Sequence, residues 1–281
     1  MNVSLYKMTV FSNETLSMLG SSFLQAFGVC ALFLGVGDVL SPNTFHYGLS
    51  GLEIMGGLSV IWSIYKIWPR FEITRQMTVP DTKITIKAGD LFDQTGNIVV
   101  GMTDVFDTEK GEIIDPNSIQ GQFLSKVYGD DRTNLDADIT KALRGKLAEV
   151  DRKKSRGKNM RYPIGTVATL SSGGRKYFCL AYSFMEKNLK AKSDVTKITI
   201  SLNKLWEEVR VNGHNNVSMA VLGSDRARMS ASHSNFIKLI VASFILASRE
   251  SIVTKELTIL IKNTNLGKIN MLDLNDFLQN F

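Results

Sequence analysis

Cysteine and histidine are scarce in this sequence, with two and three in 281 residues. Cys30 falls in a long apolar run and Cys179 in a shorter one, which excludes a disulfide framework. His46, His214 and His233 lack metal-ligand spacing, so no metal site is expected. The chain also lacks a Walker loop, a Gly-x-Ser-x-Gly elbow and a Cys/His pair. With no catalytic signature, a binding pocket without a cofactor is expected rather than an enzyme's reaction centre. Internal repeats and low-complexity segments are missing too. Charge is missing from one long stretch, Leu16 to Gly37, where Gln25 is the strongly polar side chain.

At a rise of about 1.5 Å per residue, about 20 helical residues cross the hydrocarbon layer, and this stretch is long enough. A second apolar run, Tyr47 to Trp68, holds one internal charge, Glu53. Trp62, Tyr65 and Trp68 gather at its end like an interfacial belt. A signal peptide would have a shorter apolar core and no second span close behind. Two buried soluble helices would show a polar face, which these runs lack. The expectation is an N-terminal segment (1–15) and a transmembrane hairpin (16–68, with spans of about 16–38 and 47–68).

Lys7 precedes the first span, Lys66, Arg70 and Arg75 lie at or beyond the end of the second, and the loop SPNTFHY has no Lys or Arg. Both termini and everything after the hairpin should therefore be cytoplasmic. Ser22, Ala26 and Cys30 recur every fourth residue, and Gly56 and Gly57 lighten the second span, as in helices that approach closely in lipid. Glu53, with Gln25, is expected at an interhelical contact or a polar path after assembly; the alternative is Glu53 snorkelling to the nearby interface. The net charge of +6 is modest, and its clearest cluster is DRKKSRGKNMR at 151–161. That cluster reads as a solvated loop or a contact for anionic headgroups. No nucleic-acid motif accompanies it, so no nucleic-acid partner is expected.

Residues 69–81 read as a linker ending near Pro80. Strands are expected at 83–88 and 97–101, and helices near 117–128 and 135–147. GTVATLSS and KYFCLAYS, joined by GGR, form a hairpin signal. A helix to Gly213, a strand at VSMAVLG, a helix over 232–249, a strand at ELTILIK and a closing helix complete an α/β domain, residues 82–281, with a mixed sheet.

Open α/β sheets bind ligands at the carboxyl ends of strands. Three places have that position. The first is Asp90, with Leu91, after KITIKAG; its carboxylate is either a ligand contact or an Asx-turn cap. The second is GMTDVF, where Gly101, Met102, Thr103, Asp104 and Phe106 face a ligand or make a capped turn with Phe106 in the core. The third is Gly223, Ser224, Asp225, Arg226, Ala227, Arg228 and Met229, ahead of a long helix. Its amides, helix dipole and two guanidinium groups suit a phosphate.

The order of GDL at Asp90, the strand with GMTDVF, the helix LDADITKAL, the strand GTVATL with its partner, and AVLGSDRARMS resembles the macro domain, over roughly residues 82–265. The resemblance implies a three-layer α/β/α sandwich that binds ADP-ribose and related nucleotides. Asp90 would meet the adenine, residues 101–106 the distal ribose, and residues 223–229 the diphosphate. Gly101, Met102 and Thr103 stand where hydrolases of the family carry an asparagine-rich loop, which argues against ADP-ribosyl hydrolysis. A macro-type domain behind a membrane hairpin is similar to the membrane effector of Thoeris anti-phage systems. That likeness implies a protein of the bacterial inner membrane that senses a signal, histidine-ADP-ribose, from a TIR-domain enzyme. It would then form a homo-oligomer that disrupts the lipid bilayer in abortive infection. A membrane-anchored hydrolase using Asp104 or Asp107, and a constitutive membrane scaffold, are the alternatives.

Overall fold

A computed structural model describes residues 13–40, 48–66, 71–212, 216–222 and 233–281. The chain divides into two compact units, residues 1–70 with 270–273, and a larger one of residues 71–269 with 274–281. In the first, helices α1 (Asn13–Leu40) and α2 (Gly48–Lys66) pack against each other. The face that α2 buries is Gly51, Met55, Ser59 and Ser63, one residue per helical turn. Ser59 and Ser63 satisfy their hydroxyls on the carbonyls of Met55 and Ser59, each at 2.7 Å, so the stripe costs no unpaired polar group.

Among the described residues, Leu19–Gly37 is the stretch long and apolar enough to cross a membrane, with a mean hydropathy of 1.8 and 6% of it buried. By the same measure α2, which carries Glu53 and Lys66, falls short. Gln25 and Glu53 are both exposed on the helix pair.

The larger unit is built on an eight-stranded mixed sheet. Its strands are β1 (Glu72–Met77), β2 (Thr82–Ala88), β3 (Asn97–Thr103), β6 (Val167–Ser172), β7 (Arg175–Met185), β8 (Ala191–Lys192), β9 (Asn216–Ala220) and β10 (Glu256–Ile261). The order is β1-β2-β10-β9-β3-β7-β6, and β8 pairs with β7. Strands β2, β10, β9, β3 and β7 are parallel; β1 and β6 close the edges antiparallel. β1 lies inside the stretch expected to be a linker. Its Ile73 and Met77, four residues apart and so on one face, are buried, and the strand pairs with β2 from Glu72↔Lys87 to Met77↔Thr82. Gly173 and Gly174, both at positive φ, make the two-residue turn between β6 and β7.

Helices cover the sheet. α3 (Ile119–Tyr128) starts at Ser118, whose hydroxyl accepts the Gly121 N–H at 3.0 Å, and ends at Gly129 with φ 58°. α4 (Arg132–Ala142) follows at once, its first turn capped by Asp131 through the Asn134 N–H at 3.0 Å. Both pack onto one face, where Phe123 sits at zero exposure with Ile98, Val100, Cys179 and Leu170. Tyr128 meets the Phe123 ring edge-on at 5.4 Å and Tyr177 meets it tilted at 5.0 Å. Strand alternation points Val99, Phe178 and Leu180 the other way. There α5 (Val195–Asn212) packs on β7 and on α6 (His233–Glu250), burying Leu205, Trp206 and Phe244. A 3₁₀ turn (Asn263–Lys268) and α7 (Met271–Gln279) are the last elements of the chain.

The basic stretch 151–161 is largely exposed, as a solvated loop would be, but several of its cations are tied down by acids elsewhere in the domain. It connects β4 (Glu149–Val150) to β5 (Met160–Arg161), a two-stranded ribbon. Lys154 is 1% exposed at its side chain, because an equally buried carboxylate, Asp107, pairs with it at 3.0 Å. Arg161 and Lys158 are likewise spent on Asp104 and Asp136, each at 2.5 Å.

Candidate functional site

A cleft of about 660 Å³ opens at the carboxyl ends of β3, β9, β10 and β7. This is the place that the parallel core of the sheet prepares, since loops diverge there and strand ends leave backbone groups unpaired. β3 contributes Gly101, Met102 and Thr103; β7 contributes Tyr182, Ser183 and Met185. Ala220 and Leu222 line it at the β9 end, Ile261 and Lys262 at the β10 end, and Asn265 from the turn beyond. The turn Asp115–Asn117 and the first residues of α3 form one wall.

Gly101 is required by this geometry. A Cβ there would lie 2.7 Å from Tyr182 Cε1 and 3.1 Å from Leu222 Cδ2, so no side chain fits while the Tyr182 ring crosses the strand. The parallel register sets Gly101 opposite Leu180, and an irregularity between Met102 and Thr103 brings Thr103 opposite Ser183. Thr103 is 4% exposed, and its Oγ1 is buried with no hydrogen-bond partner. A buried hydroxyl costs free energy unless something completes it.

The GMTDVF loop does not present all its residues to the cleft. Asp104 is 2% exposed and turns into the protein, where Oδ2 accepts from Arg161 Nη1 at 2.5 Å and Oδ1 from the Met185 N–H at 2.8 Å. Burial pushes its carboxyl upward against the lowering effect of the Met185 N–H and Arg161. Arg161 also donates to Asp151 Oδ2 and to the Met185 carbonyl, each at 2.8 Å, and lies over the Phe184 ring at 4.0 Å. The knot therefore fixes the end of β7, which lines the cleft. Phe106, at φ 50°, is 1% exposed and packs edge-on against Tyr162 at 5.5 Å. It is core, not a stacking platform, because the left-handed turn at its own backbone rotates the ring inward.

Asp90 lies outside the cleft lining. Its Oδ1 accepts the Phe92 N–H at 2.8 Å, an Asx turn, and its Oδ2 takes Lys126 Nζ of α3 at 2.6 Å. Burial works to raise this carboxyl, but the Lys126 and Phe92 hydrogen bonds and the Lys126 charge together hold it below the usual range. Leu91 is a core residue at 2% exposure. The structure thus separates the two expected lips: Thr103 with Gly101 faces the cleft, and Asp90 is engaged beside it with α3.

Gly223, Ser224, Asp225, Arg226, Ala227, Arg228 and Met229 lie outside the described residues, as do His46 and His214. The nearest described residues on either side of that segment, Leu222 and His233, both line the cleft. Sequence reasoning missed Asp115, Gln120, Tyr182, Ser183, Lys190, Lys262 and Asn265, all of which line it. The signal for Tyr182 and Ser183 was their place at the carboxyl end of KYFCLAYS, but only the parallel β3–β7 pairing puts them beside Gly101. No group of three or more metal-ligating side chains occurs among the described residues.

Solved structures share this fold. The Oceanobacillus iheyensis macrodomain with MES bound aligns at TM-score 0.52 and 11% identity over 75% of this chain and 100% of that one. The same macrodomain with ADP aligns at 0.51 and 11%, over 75% and 100%, and its G37V mutant with ADPR at 0.50 and 12%, over 74% and 100%. At such identity the likeness shows the fold. No curated protein matches the sequence. A family model described as Thoeris protein ThsA, Macro domain matches residues 84–262, the strands and helices that build the cleft. The chain belongs to the ThsA macro-domain family of Thoeris proteins.

Proposed function

We propose that this chain is the membrane effector of a Thoeris-like anti-phage system. Its macro-type domain binds an ADP-ribose-derived signal, histidine-ADP-ribose from a TIR-domain enzyme. Binding drives the N-terminal helices of several copies to assemble, and the bacterial inner membrane fails. The observation that carries the reading is the cleft at the carboxyl ends of β3, β9 and β10 in a ThsA macro-domain chain. Its 660 Å³ is in the range of small-molecule pockets. Structural neighbours holding ADP and ADPR on the same fold support a nucleotide as occupant.

Support for the membrane role comes from the helix pair. Leu24, Leu32, Phe33, Ile54, Ile61 and Tyr65 are exposed on it, an apolar surface too wide for water. Gly20, Gly28, Gly35, Gly56 and Gly57 have open space where a side chain would be, so other helices can approach. In a bilayer, exposed Gln25 and Glu53 are satisfied by another copy or by a polar path, which favours assembly of two-pass chains.

The hydrolase alternative loses its first candidates, since Asp104 and Asp107 are both buried in ion pairs. It retains Asp115, the carboxylate among the described lining residues. The test is the full chain in dye-loaded liposomes, challenged with histidine-ADP-ribose, with the ligand recovered for mass spectrometry. Leakage with intact ligand is the expected result. Cleaved ligand supports the hydrolase, and leakage that ignores ligand refutes the gated effector.

A further inference from the structure

We infer that the β4–β5 ribbon, with the turn leading into it, is a docking surface for an anionic lipid bilayer. Exposed cations and exposed apolar side chains stand together on it, while its other cations hold it to the domain.

The ribbon divides its charge. Lys154 and Arg161 are drawn inward by Asp107 and Asp104, and Lys158 and Arg156 pair with Asp136 and Glu112. These contacts fix its root. Asp151 then opens the tip with an Asx turn, its Oδ1 accepting the Lys153 N–H at 2.9 Å. Arg152 and Lys153 stand at that tip, both exposed and neither paired with an acid among the described residues. The turn ahead of β4 adds Arg144 and Lys146, exposed and unpaired in the same way.

Apolar surface accompanies the charge. Val150 and Met160 are directly opposed across the ribbon, and opposed residues share a face. Glu149 and Arg161 are the neighbouring pair, and Arg161 reaches the buried Asp104. Alternation therefore turns Val150 and Met160 away from that knot, where they are 55% and 40% exposed. Glu149, an exposed acid, lies on the opposite face from them. Leu147, just before β4, is 84% exposed.

Four unpaired cations call for a polyanion, and the apolar side chains choose which one. A nucleic-acid backbone offers nothing to Leu147, Val150 and Met160. The boundary between anionic headgroups and acyl chains buries them while the cations meet the headgroups. The inference rests on the membrane reading of α1 and α2. Glu72 follows Lys66 by six residues, so a spanning helix pair keeps the domain at the bilayer surface.

The test is limited trypsin digestion of the full chain in nanodiscs of phosphatidylcholine, alone or mixed with phosphatidylglycerol. Cuts after Arg152 and Lys153 are followed by mass spectrometry, with the cut after exposed Arg249 as internal reference. The anionic lipid is expected to slow the tip cuts about tenfold or more, since each engaged cation is worth about fivefold near such a surface. Molar salt should restore them, because charge then acts over only about 3 Å. Two variants keep the cut sites. Arg144→Gln with Lys146→Gln removes charge, Met160→Ser removes apolar surface, and each should reduce the protection several-fold. Equal cutting in the two discs, protection that either variant leaves whole, or equal protection by duplex DNA added to neutral discs overturns the surface. A chain that enters neither disc refutes the membrane reading instead. In that case it must still sediment with anionic but not neutral vesicles, and Met160→Ser must not, or the docking surface falls too.

Discussion

Replacing Lys154 by methionine tests a buried ion pair that lies behind Gln120, a residue of the cleft lining. Lys154 and Asp107 are each 1% exposed at the side chain, 3.0 Å apart. Lys154 Nζ also donates to the carbonyls of Arg156 and Lys158, at 2.6 and 2.7 Å. Asp107 Oδ1 accepts the Lys158 N–H at 2.5 Å, and Gln120 of α3 donates to the Asp107 carbonyl. Methionine keeps the apolar stem but strands the Asp107 charge in a dry site, which costs about 3–5 kcal/mol. For a domain of this size each kcal/mol lowers the midpoint by about 2–4 °C, so a drop of roughly 10 °C is expected. Adding Asp107→Leu removes the stranded charge and should recover part of the loss. Recovery stays incomplete because the Lys158 N–H and two carbonyls remain unpaired. The assay is thermal unfolding of the full chain, followed by the fluorescence of Trp206, which is 1% exposed. A single-variant loss below about 1 kcal/mol, the worth of an exposed pair, would show that the pair is solvated and refute the reasoning.

Gly101→Ala should weaken nucleotide binding at least tenfold and cost about 1–3 kcal/mol, because the new Cβ must displace Tyr182 and Leu222; calorimetry and unfolding together check both. The Asp90 carboxyl titrates below its unfolded value near 3.9, so its stabilising contribution is complete above about pH 4 and fades as pH falls through the lower folded value. Asp90→Asn should therefore flatten the loss of stability below pH 4, and an unchanged acid limb in a pH series of melts would contradict the Lys126 pairing. Glu53→Leu should retain ligand binding but reduce liposome leakage, whereas full leakage would remove Glu53 from any polar path.

Much of the domain was legible because its signals are local. Ser118 and Gly129 bound α3, the paired glycines mark the β6–β7 turn, and alternating or continuous apolar runs give β2, β3, β7 and β10. β1 was hidden because its Thr74, Arg75 and Gln76 are exposed on an edge strand, leaving two buried residues as the whole signal. The site was legible only in its position. Gly101 and Thr103 reach the cleft, but the fates of Asp104, Phe106 and Asp90 were settled by partners 36 to 81 residues away or by the backbone of one turn. Arg161 and Met185 claim Asp104, Lys126 claims Asp90, and a left-handed φ turns Phe106 inward. Within the exposed basic stretch 151–161 the burial of Lys154 was hidden for the same reason, since nothing in the local composition shows that Asp107 waits beneath it.

The central claim is that the cleft holds an ADP-ribose-derived nucleotide, and calorimetric titration of the full chain in detergent with histidine-ADP-ribose tests it most directly. Saturable binding at one site per chain, weakened by Gly101→Ala, is the predicted result. No heat with the adduct or with ADP-ribose, from a chain whose unfolding transition shows it folded, would contradict the account.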